Sequence, residues 1–133
     1  MSWDVYAQDF PDVQSVLDIP DDFRPRNIGD RDKLIAKIQE VAPAADFSEP
    51  GWGIIEMDEF SIEVQIGEDE EVGAITFHIR GGGAAGSCVA EILRALNLKA
   101  IDSGTGDFFD FEDPEFGFDN WKALRDQYMR EIR

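Results

Sequence analysis

Two stretches in the middle of the chain alternate strictly between apolar and polar residues. Residues 60–66 read Phe-Ser-Ile-Glu-Val-Gln-Ile, and residues 75–80 read Ile-Thr-Phe-His-Ile-Arg. Because side chains on a strand point to opposite faces in turn, each stretch predicts a strand with one buried face. A register that places Ile66 opposite Ile75 puts both apolar sets on the same side of the sheet. A tight turn before the first stretch adds a third strand, and we therefore expect an antiparallel meander over residues 53–80.

Periodicity elsewhere predicts the elements that complete this sheet and cover it. An N-terminal strand at Trp3–Ala7 shows the same alternation, and a late hairpin joins residues 99–102 to residues 107–111. Apolar residues at helical spacing predict three helices, over residues 31–42, 84–97 and 119–132. Asp30 and Asp119 stand where they can cap the first and the third helix. We predict an α+β fold of two layers, an antiparallel sheet with about three helices packed mainly on one face.

Length and composition narrow the class of protein. With 133 residues, of which 43% are hydrophobic, we expect a single domain over residues 1–133 with one core. No run approaches the roughly 20 apolar residues that a membrane span requires. Cys88 is the only cysteine, which excludes an intrachain disulfide and is typical of a reducing compartment. These features lead us to expect a soluble, cytoplasmic protein.

Positive charges are missing from two long stretches. Between Lys37 and Arg80 lie 42 residues with eleven carboxylates and no Lys or Arg. Residues 100–121 hold seven more carboxylates and again no Lys or Arg. These two base-free stretches contain 18 of the 29 acidic residues in a chain of net charge −17. Such a field repels nucleic acids and anionic membranes and attracts basic proteins. We therefore expect a basic protein partner, and neither nucleic acid nor membrane.

Two segments within the base-free stretches are the candidate partner-binding residues. The first is an acidic run that connects the two alternating strands, where we expect it to be exposed. The second interleaves phenylalanines with acids. Its phenylalanines could fill the core or stay exposed as anchors within a ring of carboxylates, and neither composition nor spacing separates these readings. The candidates are Glu68, Asp69, Glu70 and Glu71 in the first segment, and Asp110, Phe111, Glu112, Asp113, Glu115 and Phe116 in the second.

A glycine-rich turn indicates a different kind of site. Three glycines match the spacing of a dinucleotide-binding fingerprint, with Asp102 following 21 residues after the first of them. That fingerprint requires a buried parallel strand, whereas the preceding strand belongs to the antiparallel meander. A smaller alternative stays open, in which free backbone N–H groups at the helix start bind a carboxylate or phosphate. The residues of this anion-binding alternative are Arg80, Gly81, Gly82, Gly83 and Gly86.

The side chains that carry most enzyme chemistry are scarce in this chain. Cys88 and His78 are its only thiol and imidazole. We expect them on opposite sides of the sheet, Cys88 as a buried structural residue and His78 at the surface, paired with Glu63. One cysteine and one histidine cannot supply a usual zinc site, and weak calcium association with the acidic run is the one metal hypothesis left open. We therefore expect no catalytic set, no metal site and no cofactor.

Three hypotheses about function remain after these exclusions. The leading one is a small, acidic, non-enzymatic interaction protein that binds a basic protein, in the manner of an inhibitor or immunity protein. The alternative is a small-ligand or anion-binding module, or an enzyme, organised around Gly81–Gly86. The third is a structural subunit in which exposed apolar residues of the sheet or the last helix form an oligomer interface. No motif in the sequence chooses among them.

Overall fold

The computed structural model describes residues 2–131, which form a seven-stranded sheet, a two-stranded sheet and three α-helices. The strands are β1 Trp3–Gln8, β2 Gly29–Asp30, β3 Asp46–Glu49, β4 Trp52–Glu56, β5 Phe60–Gln65, β6 Glu71–Val72, β7 Ala74–Gly81, β8 Lys99–Asp102 and β9 Asp107–Phe108. The helices are α1 Arg31–Val41, α2 Ala85–Leu96 and α3 Phe116–Glu131, and a short 3₁₀ helix spans Val16–Asp18. The large sheet has the order β3-β4-β5-β7-β1-β8-β9, and β2 pairs with β6.

The predicted α+β fold is confirmed, and the predicted register of the meander is confirmed with it. Every strand pairing is antiparallel. Glu63 lies opposite His78 and Ile55 lies opposite Ile62, as the alternation of apolar residues requires. A shift of one residue would have moved every apolar side chain of a strand to the solvent side.

The N-terminal strand β1 lies inside the sheet, between β7 and β8. Both neighbours run antiparallel to β1, so β7 and β8 run parallel to each other with β1 between them. Parallel strands cannot be joined by a hairpin, and α2 therefore crosses over the sheet from the end of β7 to the start of β8. This crossover places the glycine-rich turn at the end of β7.

One face of the sheet carries the core. The odd-numbered residues of β1, and those of β7 from Ile75 to Ile79, are fully buried on the face that α2 covers. Helix α1 packs beside α2 on the same side. The even-numbered residues of the same strands, such as Tyr6 and His78, lie on the opposite face and are at least partly exposed. The two-layer arrangement follows from this division.

Helix α1 begins where the sequence indicates. Asp30 has an extended backbone, and its Oδ2 accepts a hydrogen bond from the Lys33 backbone N–H at 3.2 Å. This bond satisfies one of the orphan donors of the first turn. Helix α2 has no such cap from its own N-cap residue, Ala84, and it ends at Asn97 in the left-handed conformation, with φ of 55°.

The connection between β5 and β7 differs from the exposed loop that its acidic composition predicts. Within it, Glu71 and Val72 form β6 and pair with β2 at the start of α1. Val72 is only 2% exposed and belongs to the core. Strand β3 was also not predicted, because residues 46–49 show no apolar alternation. Two-residue and irregular strands carry too little periodicity to be recognised in a sequence.

The last helix begins earlier than Asp119. Its first residue is Phe116, and the Asp119 backbone N–H already donates to the Glu115 carbonyl, so Asp119 is inside the helix and does not cap it. The predicted end at residue 132 lies outside the described residues. Only Gly117 and Phe118 of this helix are buried. The late strand β9 is likewise shorter than predicted, because the chain leaves the sheet after Phe108.

A buried carboxylate ties the first strand to the last helix. Asp102 is 2% exposed, and its Oδ1 accepts hydrogen bonds from Trp3 Nε1 at 2.6 Å and from the Gly104 backbone N–H at 2.7 Å. Its other oxygen faces Gly117, where an added Cβ would overlap the carboxylate. Burial raises the pKa of Asp102, and the two hydrogen bonds oppose that rise without cancelling it.

We expect the Asp102→Asn variant to be at least as stable as the parent at pH 7, because asparagine keeps an acceptor for both donors without the cost of a buried charge. The raised pKa means that the native parent binds its proton more tightly than the unfolded chain does. The parent therefore loses stability from this group as the pH rises through the interval between its unfolded and folded pKa values. The advantage of the variant should shrink as the pH falls through that interval, which urea unfolding between pH 4 and 7 measures.

An advantage that grows on acidification would contradict this account of Asp102. Asp102→Leu serves as the comparison, because leucine leaves the N–H groups of Trp3 and Gly104 without an acceptor. It should lose about 1–3 kcal/mol for each buried N–H left without a partner.

Candidate functional site

Folding does not neutralise the base-free stretches. All the carboxylates of the first stretch are exposed except Glu63, which is partly buried. Glu63 Oε1 lies 3.2 Å from Arg80 Nη1, and it is the one acid of the two stretches with an ion-pair partner within residues 2–131. The other ion pairs within residues 2–131 join acids outside the two base-free stretches to nearby cations.

The acidic run Glu68–Glu71 lies beside the start of α1. All four of its side chains are exposed. The Glu70 carbonyl accepts from the Arg31 backbone N–H at 2.8 Å, and Glu71 Oε2 accepts from Asn27 Nδ2 at 2.8 Å. These contacts anchor the C-terminal end of the run, while Glu68 and Asp69 are in solvent. Negative charge near a helix N-terminus is favourable, so the position is compatible with a stable fold.

The second candidate segment runs along α2, on the β8–β9 side of the molecule. Near the end of α2, Arg94 Nη2 donates to the Phe111 carbonyl at 2.9 Å, and the Arg94 guanidinium lies over the Phe111 ring. Near the start of α2, Glu115 Oε1 accepts from the Ser87 backbone N–H at 3.0 Å. The segment is therefore held at both ends of the helix.

Some phenylalanines of the second segment are core residues and others are exposed, so each of the two interpretations of the sequence holds for part of the segment. Phe109 and Phe118 are buried and pack against Trp3, as core residues do. Phe111 is partly covered by Arg94. Phe116 is 48% exposed, and it is the phenylalanine of the segment that most resembles an anchor.

The acids of the segment also divide by role. Asp110 Oδ1 accepts from the backbone N–H groups of Glu112 and Asp113, so Asp110 shapes the turn. Glu115 caps α2, as described above. Glu112 and Asp113 are exposed and their side chains make no hydrogen bond within the described part of the chain. The two candidate segments are held by different elements, one by the start of α1 and the other by α2.

The residues of the anion-binding alternative are separated by the sheet. Arg80 lies on the open face, where it pairs with Glu63, whereas α2 starts on the covered face. The start of α2 already holds the carboxylate of Glu115, and the Glu59 side chain occupies the space beside Gly83. An added Cβ at Gly86 would overlap the backbone of Pro114, which explains this glycine by close packing.

A cavity of about 720 Å³ adjoins the glycine turn and brings in two cations that the sequence did not connect with it. Lys122 and Arg125 of α3 line this cavity together with three carboxylates. The acids are Glu59, Glu115 and Asp119. Because acids outnumber bases, the cavity offers an anion no net attraction from its lining. Asp102, the acidic residue that follows the glycines at the spacing of the dinucleotide-binding fingerprint, is buried against Trp3. Its carboxylate therefore cannot reach a ligand at the glycine-rich turn.

His78 is held by partners other than the predicted Glu63. Its Nδ1 lies 2.9 Å from Asp4 Oδ1 and its Nε2 lies 3.1 Å from Gln65 Oε1, while its ring stacks on Trp52 with centroids 5.9 Å apart. The cross-strand position opposite Glu63 is correct, but Glu63 turns to Arg80. Both ring nitrogens therefore have hydrogen-bond partners within the protein.

Cys88 is partly exposed, not fully buried as predicted. Burial, reinforced by the negative charge of Glu91, raises the pKa of its thiol. A raised pKa lowers the thiolate fraction and with it the nucleophilicity at neutral pH. The sheet separates Cys88 from His78, so the two do not form a catalytic dyad. Residues 2–131 contain no group of three or more side chains arranged to hold a metal ion, and no helix among them is long and apolar enough to cross a membrane.

We expect Glu115→Ala to lower the free energy of unfolding by about 0.5–2 kcal/mol, the usual cost of removing a helix N-terminal cap. Glu115→Gln should lose less, because its side-chain oxygen can still accept from the Ser87 N–H. Glu112→Ala is the matched control, since Glu112 is exposed and makes no side-chain hydrogen bond there. Chemical denaturation of the three variants measures the difference. Equal losses in Glu115→Ala and Glu112→Ala would show that Glu115 does not cap α2.

Comparison with known proteins does not assign this chain to a family. The chain matches no protein-family model, no curated protein and no solved structure.

Proposed function

We propose that this protein is an acidic, non-enzymatic interaction protein that binds a basic protein partner. The observation that carries the proposal is the state of the base-free stretches after folding. Their eighteen carboxylates include only Glu63 in an ion pair within the described residues, and most of the others face solvent. A basic surface would supply the cations that the fold does not.

Repulsion among these carboxylates destabilises the folded protein, and this destabilisation supports a role for the charge in association. Like charges on one surface repel each other and destabilise the compact state. Intramolecular pairing with Lys or Arg would have relieved that repulsion, as it does for Glu63 and Arg80. A cluster of unpaired carboxylates raises the rate at which a basic partner is encountered, and it disfavours nucleic acids and anionic membranes.

The class of partner follows from the same chemistry. A protein surface that binds nucleic acid is rich in Lys and Arg, and an acidic protein can occupy it in place of the phosphates. An inhibitor or immunity-type protein acts in this way. The single, poorly nucleophilic thiol and the fully engaged imidazole support the non-enzymatic part of the proposal. We place this activity in the cytoplasm, where a lone cysteine stays reduced.

Neutralising the carboxylates should abolish capture of the partner. The first test variant replaces the acidic run with Glu68→Gln, Asp69→Asn, Glu70→Gln and Glu71→Gln. The second combines Glu112→Gln and Asp113→Asn with Phe116→Ala, and it leaves the structural Asp110 and Glu115 intact. We expect the parent to retain a discrete basic protein from native lysate at low salt, identified by mass spectrometry, and at least one variant to lose it.

A charge-matched variant controls for net charge alone. It neutralises four exposed acids outside the base-free stretches: Asp18, Asp21, Asp22 and Glu131. It carries as many neutralised acids as the first test variant and should still capture the partner. Equal loss in the control would show that only total charge matters, and capture of nothing beyond general background would reduce the charge to a role in solubility.

A further inference from the structure

A second cavity, with a mostly apolar lining, lies on the helical side of the molecule, between the end of α1 and the start of α2. We call it the α1–α2 groove. It has a volume of about 330 Å³, near the lower end of the range for ligand pockets. Its lining is apolar except at two positions near the start of α2. The main lining residues are Val41, Ile55, Met57, Phe60, Cys88 and Glu91.

The apolar lining of the groove is open to water. Met57 is 53% exposed, and Phe60, Val41 and Cys88 are partly exposed. Met57 lies in the turn between β4 and β5, where its backbone N–H donates to the Phe60 carbonyl at 2.9 Å. An exposed methionine beside an aromatic ring is a common feature of surfaces that bind protein segments. The groove is therefore a surface on which an apolar side chain could be buried.

The charges around the groove are negative. Glu91 is part of its lining, Glu40 precedes the lining residue Val41, and Asp58 follows the lining residue Met57. These three carboxylates are exposed, and none has an ion-pair partner within the described part of the chain. Among residues 2–131, no Lys or Arg lines the groove. The groove thus combines an apolar floor with an acidic rim.

We propose that the α1–α2 groove receives the apolar stripe of a cationic helical segment on the basic partner. The proposal rests on the proposed function, because it assigns the contact surface of that same partner. An amphipathic helix offers apolar side chains on one face and Lys or Arg on its flanks, which fits an apolar floor bounded by carboxylates. An apolar small molecule would leave the rim unpaired, and a second copy of this acidic chain would meet it with like charge.

The single cysteine provides a direct reporter of occupancy. Cys88 lines the groove and is the only thiol in the chain. An uncharged reagent such as iodoacetamide should alkylate it slowly in the free protein, because its pKa is raised. A segment seated in the groove should slow the reaction further by covering the sulfur.

Three synthetic peptides serve as probes. The first combines leucines at helical spacing with lysines elsewhere. The second has the same composition with the leucines scrambled, and the third replaces every lysine of the first with glutamate. We expect the first peptide to bind at least about tenfold more tightly than the second, to slow alkylation of Cys88 by a similar factor, and to lose both effects at high salt. The third peptide should not bind.

A pair of lysine variants locates the contact. Met57→Lys places a cation at the groove and should weaken binding of the first peptide about tenfold. Leu17→Lys is the control, because Leu17 is 91% exposed in the 3₁₀ helix and does not line the groove. It makes the same change of charge and should have little effect. Neither substitution removes a buried side chain, so both variants should fold.

The outcomes separate the groove from the proposed function. Equal binding of the first two peptides without protection of Cys88 overturns the groove and leaves the acidic interaction protein standing. Equal binding of the lysine and glutamate peptides overturns the electrostatic basis of the proposed function. Protection of Cys88 in the protein alone, together with a dimer in analytical ultracentrifugation, would assign the groove to a second copy of the chain and overturn the proposal.

Discussion

Strand β1 occupies a central place in the large sheet, and this place determines how its neighbours are connected. Because β1 pairs with both β7 and β8, these two strands are parallel and require a crossover, which α2 provides. The crossover sets the glycine turn at the end of β7. The return of the chain along α2 then brings Glu115 to the start of that helix and buries Asp102 against Trp3. The order of the sheet thus decides which carboxylates serve the fold and which face solvent.

The strands with one buried face were predictable because their residues carry the information themselves. Alternation in β5 and β7 defines both the strands and their register, and Asp30 marks the start of α1. The elements that the sequence did not indicate depend on distant partners. The pair β2–β6 exists because Val72 enters the core beside the start of α1, and Phe116 starts α3 three residues before the predicted cap.

The candidate site shows the same limit. The base-free stretches can be recognised directly in the sequence, and within the described residues the fold gives only Glu63 of their carboxylates an ion-pair partner. The separation of Arg80 from the glycine turn was also implicit, because the alternation that puts His78 on the open face puts Arg80 there as well. The cap supplied by Glu115 and the α1–α2 groove were not predictable, since each joins residues far apart in the chain.

In the function that we propose, unpaired carboxylates guide a basic partner to this protein. The most direct test is the association rate constant with the captured partner, measured as a function of ionic strength. The Debye length falls from about 10 Å at 0.1 M salt to about 3 Å at 1 M. The account predicts a fall of about tenfold or more in the association rate over that range, with a much smaller change in dissociation. An association rate that does not vary with salt would contradict it.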